Sequence, residues 1–329
     1  MSVGYVKTNF ELLNSRCWQA LYFVKGVKKR KMIMNYIQKV LAVFFVIGFI
    51  SICVTHQSIA ESNFQEIISK AEQGDADAQY HLGSMYYSGE GVPHDDEQAI
   101  QWYTKAAEQG HVDAQYNLAL MYKHGQGVLL NFKQTIQWYT KAAEQGHVDA
   151  QFFLARMYKK GEGVPQDFKQ AIQWYTKAAE QGDVDAQYNL ALMYKNGEGV
   201  PQDDKQAIQW YTKAAEQGDT MSQTNLGSMY KNGEGVPQDF KQAIQWYTKA
   251  AEQGDVDAQY NLALMYKNGE GVLQDYMIAY AWFNLAAFQG GELPRKNIDI
   301  ILERMTPSQI EEGQKHSKEL YDKIYNRDK

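Results

Sequence analysis

The chain has 329 residues and a formal net charge of −6, and its charges are unevenly distributed. Residues 1–60 carry eight Lys or Arg and one acid, which leaves 25 basic and 38 acidic residues, a net charge of −13, for the remainder. Such an acidic body repels polyphosphate, so the composition argues against nucleic-acid binding. Both cysteines, Cys17 and Cys53, precede the repetitive part of the chain, which excludes a disulfide framework there.

The first 60 residues predict a segment that directs the chain to a membrane. A basic region ending at Lys39 precedes an apolar run over 40–54, and Ser58-Ile59-Ala60 places small residues where a signal peptidase cuts. The run is short for a spanning helix, which needs about 20 apolar residues, and suits a signal-peptide core. We therefore predict a cleaved signal peptide and a periplasmic or secreted mature chain. An inner-membrane anchor through residues 40–54 is the alternative, and it would be the only membrane contact.

Residues 1–33 are unusually long for the region that precedes a signal-peptide core. A compact signal would begin at Met34, whose basic region ends at Lys39. The preceding residues belong either to an upstream start or to the cytoplasmic extension of an uncleaved anchor. The sequence leaves both interpretations open.

From Ala71 onward the sequence repeats with a period of 36 residues. A glycine closes each unit, at Gly74, Gly110, Gly146, Gly182, Gly218, Gly254 and Gly290. A fixed period of this size is typical of a solenoid, in which each unit buries its apolar face against the next. We predict an all-α fold, an α/α superhelical solenoid of antiparallel helix pairs. Six units cover 71–286, between an amino-terminal half-repeat cap over 61–70 and a helical cap over 287–329.

Each unit predicts two helices, as the fourth unit shows. The first helix follows Asp183, a residue that caps helix amino termini well, and carries an apolar stripe. The second helix opens at Asp203 with Gln206 three residues later, which is a capping-box arrangement. Its stripe contains Trp210 and Tyr211, and we expect this pair to fill the space between helix layers.

The recurring segments Ala-Glu-Gln-Gly, Asp-Ala-Gln-Tyr, Gly-Glu-Gly-Val-Pro and Ala-Ile-Gln-Trp-Tyr resemble the Sel1-like repeat family, a relative of the tetratricopeptide repeat. The resemblance covers 71–286 and is specific, because the two-glycine turn and the Trp-Tyr helix recur in register. It implies a scaffold that binds other proteins, often in secretion, envelope or host-contact processes. Secreted relatives that hold each repeat with a disulfide are not matched, because these repeats contain no cysteine.

The sequence offers little for catalysis or metal binding. His111 and His147 stand where other units have a capping aspartate, and no His-Glu-x-x-His or Cys-x-x-Cys spacing occurs. Ser228 and Lys231 fit the Ser-x-x-Lys motif of penicillin-recognising enzymes, but no Ser-Asp-Asn or Lys-Thr-Gly motif accompanies them. We predict no enzyme activity, no cofactor and no metal. The alternative is an envelope hydrolase or a penicillin-binding or β-lactamase-like protein, in which Ser228 would form a covalent adduct with a labelled β-lactam.

One position on the first helices differs from unit to unit, although the core leucines two residues earlier are constant. We call this position the variable row; its members are Ser84, Leu120, Arg156, Leu192, Ser228 and Leu264. The constant leucines follow from packing, because every layer must fit the next. We interpret the variation in the row as freedom from packing, which leaves the row available to a ligand.

The predicted binding surface lies on the concave side, which first helices line in stacked pairs. Its centre is the third unit, which places two aromatics and an arginine where binding energy usually concentrates. We predict that a protein or peptide of unknown identity docks across units two to four. The alternative is that the tyrosines pack between units and the lysines complement helix ends. The candidate residues, which we call the first-helix face, are Tyr116, Asn117, Leu120, Phe152, Phe153, Arg156, Lys159, Tyr188, Asn189 and Leu192.

Overall fold

The computed structural model describes residues 34–42, 44 and 64–326, and its contacts divide the chain into two parts, 1–74 and 75–329. In the amino-terminal part, residues 34–42 and 44 are helical, and a further helix covers 64–72. No helix in the described ranges is both long and apolar enough to cross a membrane. The predicted cleavage site at Ser58-Ile59-Ala60, both cysteines and most of the apolar run lie outside the described residues.

Residues 75–326 form antiparallel helix pairs, as predicted, and the described part of the chain contains no strand. Helices that are consecutive in the chain pack together as far as the thirteenth, and the fourteenth returns to pack on the twelfth. The six repeat units contribute two helices each, and the carboxy-terminal cap contributes two. They are α1 Ala76–Ser88, α2 Asp96–Glu108, α3 Val112–His124, α4 Phe132–Glu144, α5 Val148–Lys160, α6 Phe168–Glu180, α7 Val184–Asn196, α8 Asp204–Glu216, α9 Thr220–Asn232, α10 Phe240–Glu252, α11 Val256–Asn268, α12 Tyr276–Phe288, α13 Glu292–Leu302 and α14 Pro307–Tyr325.

The first helix of each unit begins at a side chain that accepts a backbone hydrogen bond. At α7 the Asp183 carboxylate accepts from the Ala186 N–H at 2.6 Å, which satisfies one of the free donors at the helix start. His111 and His147 take this position in units two and three, where ring Nδ1 accepts from the backbone at 3.2 Å. α7 ends at Gly197, whose φ of 70° is a left-handed conformation that favours glycine. The two histidines are therefore helix caps.

The second helices form only half of the predicted capping box. At α8 the Asp203 carboxylate accepts from the Gln206 N–H at 3.0 Å, as predicted. In a complete capping box the Gln206 side chain would accept a hydrogen bond from the Asp203 N–H. Here that N–H donates to the Tyr194 carbonyl at 2.9 Å. The preceding helix thus replaces the glutamine. At α14, where no such carbonyl is used, Thr306 and Gln309 form the complete box.

A leucine from the first helix and an aromatic residue from the second fill the centre of each pair. The constant leucines and the aromatics at the tyrosine position are at most 2% exposed. Trp210 is only half-buried against two core clusters, and the Lys213 Nζ lies 3.9 Å from its ring centroid. Neighbouring residues on a helix point about 100° apart, so the tyrosine takes the centre and the tryptophan its flank. The buried aromatics are Tyr103, Tyr139, Tyr175, Tyr211, Tyr247 and Phe283.

Candidate functional site

All ten residues of the first-helix face are half-buried, so none of them is a core residue or fully exposed. They lie on α3, α5 and α7, the first helices of units two, three and four. Contacts join them in part: Tyr116 lies 6.3 Å from the Phe153 ring, and Asn189 lines a cleft together with Arg156 and Lys159. The structure thus brings residues of α5 together with residues of both neighbouring first helices.

The tyrosines of the first-helix face pack within the solenoid. The Tyr116 ring stacks on His147 of the next unit, with ring centroids 4.4 Å apart, and lies 5.9 Å from Tyr139 of its own unit. Tyr188 lies 5.8 Å from Tyr211 in the same way. Burial raises the pKa of Tyr116 to about 12. The alternative in which the tyrosines pack between units therefore holds for Tyr116.

Lysines in the last turn of the first helices form ion pairs between units. Lys159 Nζ lies 3.4 Å from the Glu198 carboxylate, which belongs to the glycine-rich turn of the following unit. The same pair recurs further along, and in the last unit a cap residue takes the place of the glutamate. The equivalent contacts are Lys195 with Glu234 at 3.6 Å, Lys231 with Glu270 at 3.5 Å, and Lys267 with Asn297 at 2.6 Å. The lysines therefore link neighbouring units.

The boundary between units two and three departs from this pattern, because two cations lie against one aromatic ring there. Lys123 Nζ lies 4.7 Å, and the Arg156 guanidinium carbon 4.8 Å, from the Phe153 ring centroid. Neither cation has a carboxylate oxygen within 4.0 Å among the described residues. Burial, followed by repulsion from Arg156, lowers the pKa of Lys123. The third unit thus holds a small positive cluster.

An open cleft of about 440 Å³ lies beside this cluster. Its walls include Arg156, Lys159 and Lys160, and Tyr175 lies at its base among the core aromatics. The Nε of Arg156 is buried and has no hydrogen-bond partner in the part of the chain that the structure describes. The cleft can therefore offer cationic donors and aromatic surface to a bound chain.

The serines of the variable row are explained by packing. Ser84 lies beside the buried Tyr103 and Ser228 beside the buried Tyr247, where each hydroxyl partly offsets the rise that burial causes in the pKa of the tyrosine. A glycine precedes each serine, and a Cβ on Gly227 would lie 2.6 Å from a Tyr247 ring carbon. The glycine leaves room for the tyrosine ring and the serine lies beside that ring, so the two residues pack against the tyrosine together. The interpretation that the whole row is free from packing is therefore wrong for Ser84 and Ser228.

Units two and four use a different pair at the same positions. Alanine and leucine replace glycine and serine there, and Leu120 and Leu192 carry no hydrogen-bonding group. The hydroxyls of Tyr139 and Tyr211, which belong to these units, are buried without a hydrogen-bond partner among the described residues. Arg156 is the one member of the row that follows neither arrangement.

The Ser-x-x-Lys motif does not assemble a nucleophile with a base. Ser228 Oγ accepts from Asn232 Nδ2 at 3.4 Å and lies beside Tyr247. Lys231 forms one of the ion pairs between units, with Glu270. Serine and lysine therefore serve the packing of the solenoid. No cluster of three or more metal-ligating side chains occurs in the described ranges.

A glutamine network joins the units, and the sequence analysis did not assign it. The buried Gln187 donates to the Ala179 carbonyl of the preceding unit at 3.0 Å and accepts from Gln217 of its own unit at 2.9 Å. Its signal was an unvarying polar residue within the apolar stripe. The donating glutamines that repeat this bond to the preceding unit are Gln115, Gln151, Gln223 and Gln259.

Comparison with known proteins agrees with this architecture. A search of curated proteins gave no significant match. A Sel1 repeat protein from Oxalobacter formigenes is 38% identical over 65% of this chain and 86% of its own, with a TM-score of 0.53. A protective antigen of uropathogenic Escherichia coli with the same repeat fold is 35% identical, with a TM-score of 0.51. That match covers 80% of this chain and 64% of the antigen's length.

The family model described as the Sel1 repeat matches six consecutive segments, at 76–111, 112–147, 148–183, 184–219, 220–255 and 256–291. These segments correspond to the six helix pairs from α1 to α12. Proteins of this kind form a scaffold that generally binds other proteins. The chain belongs to the Sel1 repeat family.

Proposed function

We propose that this chain is an exported, non-catalytic scaffold that binds a protein or peptide on its first-helix face across units two to four. The observation that carries the proposal is the third unit, where Arg156 lines a cleft of about 440 Å³ and its guanidinium carbon lies 6.0 Å and 4.8 Å from the Phe152 and Phe153 ring centroids. Aromatic and arginine side chains near the centre of a surface contribute most of the energy of many interfaces. The half-buried state of all ten residues supports a surface that is preformed for a ligand.

Photo-crosslinking in intact cells tests this proposal. A photoreactive amino acid is placed at Leu192 on the first-helix face, and in a matched chain at the exposed Gln209 on α8. We expect a discrete protein adduct from position 192 and none from position 209. The adduct should be lost when Phe152 and Arg156 are both replaced by Ala, while the melting temperature stays close to that of the wild type. Adducts from position 209 alone would contradict the proposal.

Export is the second part of the proposal. The order of the basic region, the apolar run over 40–54 and Ser58-Ile59-Ala60 supports it. We expect amino-terminal sequencing of the chain purified from its native cells to begin at Glu61. A chain that retains residues 1–60 in the membrane fraction would instead support the anchor through residues 40–54.

A further inference from the structure

The last-turn residue of each first helix reaches the following unit, with one exception. In the first unit this residue is Tyr87, whose hydroxyl accepts from Gln126 of the second unit at 3.4 Å. The lysines of units three to six make the contacts described above. Lys123 makes no such contact among the described residues. The glutamate at the matching position, Glu162, lies 3.7 Å from Lys160 instead. The inter-unit series is thus interrupted at Lys123 alone.

Arg156 accounts for the interruption. It occupies a position where every other unit has serine or leucine, and it lies beside the ring that Lys123 also contacts. Phe153 itself stands where units two, four, five and six have asparagine. An apolar ring can hold a cation over its face, whereas an asparagine at the same place offers no such face. Phe153 and Arg156, both unusual for their positions, therefore hold Lys123 away from the contact that the other last-turn residues make.

The result is an unbalanced charge in a partly desolvated place. Charged groups that lose water are usually paired, since an unpaired buried charge is costly. Neither Lys123 nor Arg156 has a carboxylate oxygen within 4.0 Å in the described structure, although the body of the chain carries a net charge of −13. The Glu162 carboxylate acts on Lys123 only from beyond that distance, since its ion pair is with Lys160. The adjoining cleft is lined by three basic residues and one carboxylate, that of Glu198. The excess positive charge at this point favours an anionic group on the partner.

Resting on the proposed function, we infer that Lys123 and Arg156 bind a carboxylate of the partner, so that the ligand of the first-helix face is an acidic peptide. The planar guanidinium of arginine matches a carboxylate with two parallel hydrogen bonds. A polyphosphate is disfavoured, because it carries a charge at every phosphate and the acidic body of the chain repels it, whereas a peptide can present one carboxylate among neutral residues. A side-chain carboxylate and a carboxy-terminal carboxylate supply the same chemistry, and the experiment below distinguishes them.

The test uses the full chain and short fluorescent peptide libraries. All libraries contain random apolar and aromatic positions, and the fixed positions carry either Glu or its neutral isostere Gln. Each is made with a free and with an amidated carboxy terminus. We expect the Glu library to bind about tenfold or more tightly than the Gln library, and the preference to weaken with added salt. A preference that depends on the free terminus in place of Glu would assign the carboxylate to the peptide end.

The chain itself provides matched variants. R156L introduces the residue that units two, four and six carry at this position, so the variant should fold, and it should abolish the preference for carboxylate. K195Q removes an equivalent lysine that is already paired with Glu234, and it should leave the preference unchanged. Equal binding of the Glu and Gln libraries, with no difference between free and amidated carboxy termini, would overturn the inference while leaving the binding face intact. Binding of neither library would count against the proposed function as well, and loss of the preference in K195Q would make it a general charge effect.

Discussion

The glutamine network and the variable row lie on the same first helices, yet they differ in what sets their residues. The network joins one unit to the next, so every glutamine meets the same alanine carbonyl and the position does not change. Ser84, Arg156 and Ser228 of the row lie beside the aromatic residue of their own unit, and serine or leucine in the row goes with glycine or alanine before it. In these two sets of residues, constancy accompanies contacts between units and paired variation accompanies contacts within a unit.

This difference separates Arg156 from the rest of its row. Ser84 and Ser228 lie beside a tyrosine hydroxyl, and both follow a glycine that leaves room for the ring. The leucines follow an alanine. Arg156 also follows an alanine, Ala155, so its neighbour predicts leucine. Its presence is not explained by packing within the unit, which is why the proposed binding site is centred on it.

The largest expected effect comes from two leucines on α7. Leu190 is fully buried, and L190A should lower the free energy of unfolding by about 2–5 kcal/mol through the cavity that it leaves. Leu192 belongs to the variable row and is half-buried, so L192A should have a clearly smaller effect. Denaturant unfolding followed by circular dichroism measures both. Equal losses would mean that the two positions do not differ in packing.

Alkaline pH should destabilise the solenoid through its constant tyrosines. Burial raises the pKa of both Tyr103 and Tyr247 from 10.0 to about 12. Below pH 10 the hydroxyls are protonated in both states. Above it the unfolded chain ionises first, so stability should fall by about 1.4 kcal/mol per pH unit for each tyrosine until the folded state ionises near pH 12. Unfolding free energies measured across this range test the sign, and stability that rises with pH would contradict it.

The glutamine network should be the next most sensitive element. Q187L removes the donor to the Ala179 carbonyl, and a buried polar group left unpaired costs about 1–3 kcal/mol. Gln209 is exposed on α8, and Q209L makes the same chemical change with an expected effect within about 0.5 kcal/mol. Thermal and denaturant unfolding of the two variants gives the comparison. A similar small effect of both would show that the network contributes little.

The repeat period was enough to predict the fold, because identical units that bury identical stripes leave few arrangements other than a stack. The helix caps were also readable, and His111 and His147 proved to be substitutes for aspartate. The failure of the capping box at α8 was not readable, because the competing Tyr194 carbonyl belongs to the preceding helix. Sequence spacing describes one helix at a time and does not show what a neighbour supplies.

The helices that carry the candidate residues were predicted correctly, but the contacts of these residues were not predicted. All ten residues lie on the expected helices, and the central role of Phe152, Phe153 and Arg156 stays a prediction. The ion pair of Lys159 was missed, because its glutamate lies in the turn of the next unit, which the sequence analysis treated only as a turn. Serines of the row were misread for a similar reason, since their tyrosine partners lie on the second helix of the unit.

The pairing of Gly227 with Ser228 can be tested by changing the two together. G227A places a methyl group against the Tyr247 ring and should cost about 1–3 kcal/mol. The double variant G227A/S228L reproduces the pair that units two and four carry and should be destabilised less than G227A alone. Unfolding free energies of the two variants and S228L complete a double-mutant cycle. Strictly additive effects would show that the two positions are independent.

The smallest expected effect distinguishes two tyrosines that occupy the same place in different units. The Ser228 hydroxyl lies beside that of Tyr247, so Y247F removes a polar contact and should lower the free energy of unfolding by about 0.5–1.5 kcal/mol. The Tyr211 hydroxyl is buried without a partner in the described structure, so Y211F removes an unsatisfied group and should leave stability unchanged or raise it. The sixth unit supports this expectation, because it combines Leu264 with Phe283 and carries no hydroxyl there. Denaturant unfolding of both variants measures the difference in sign. A loss of stability in Y211F as large as in Y247F would mean that the Tyr211 hydroxyl does have a partner. In that case a leucine in the variable row would not indicate a tyrosine without a hydrogen bond.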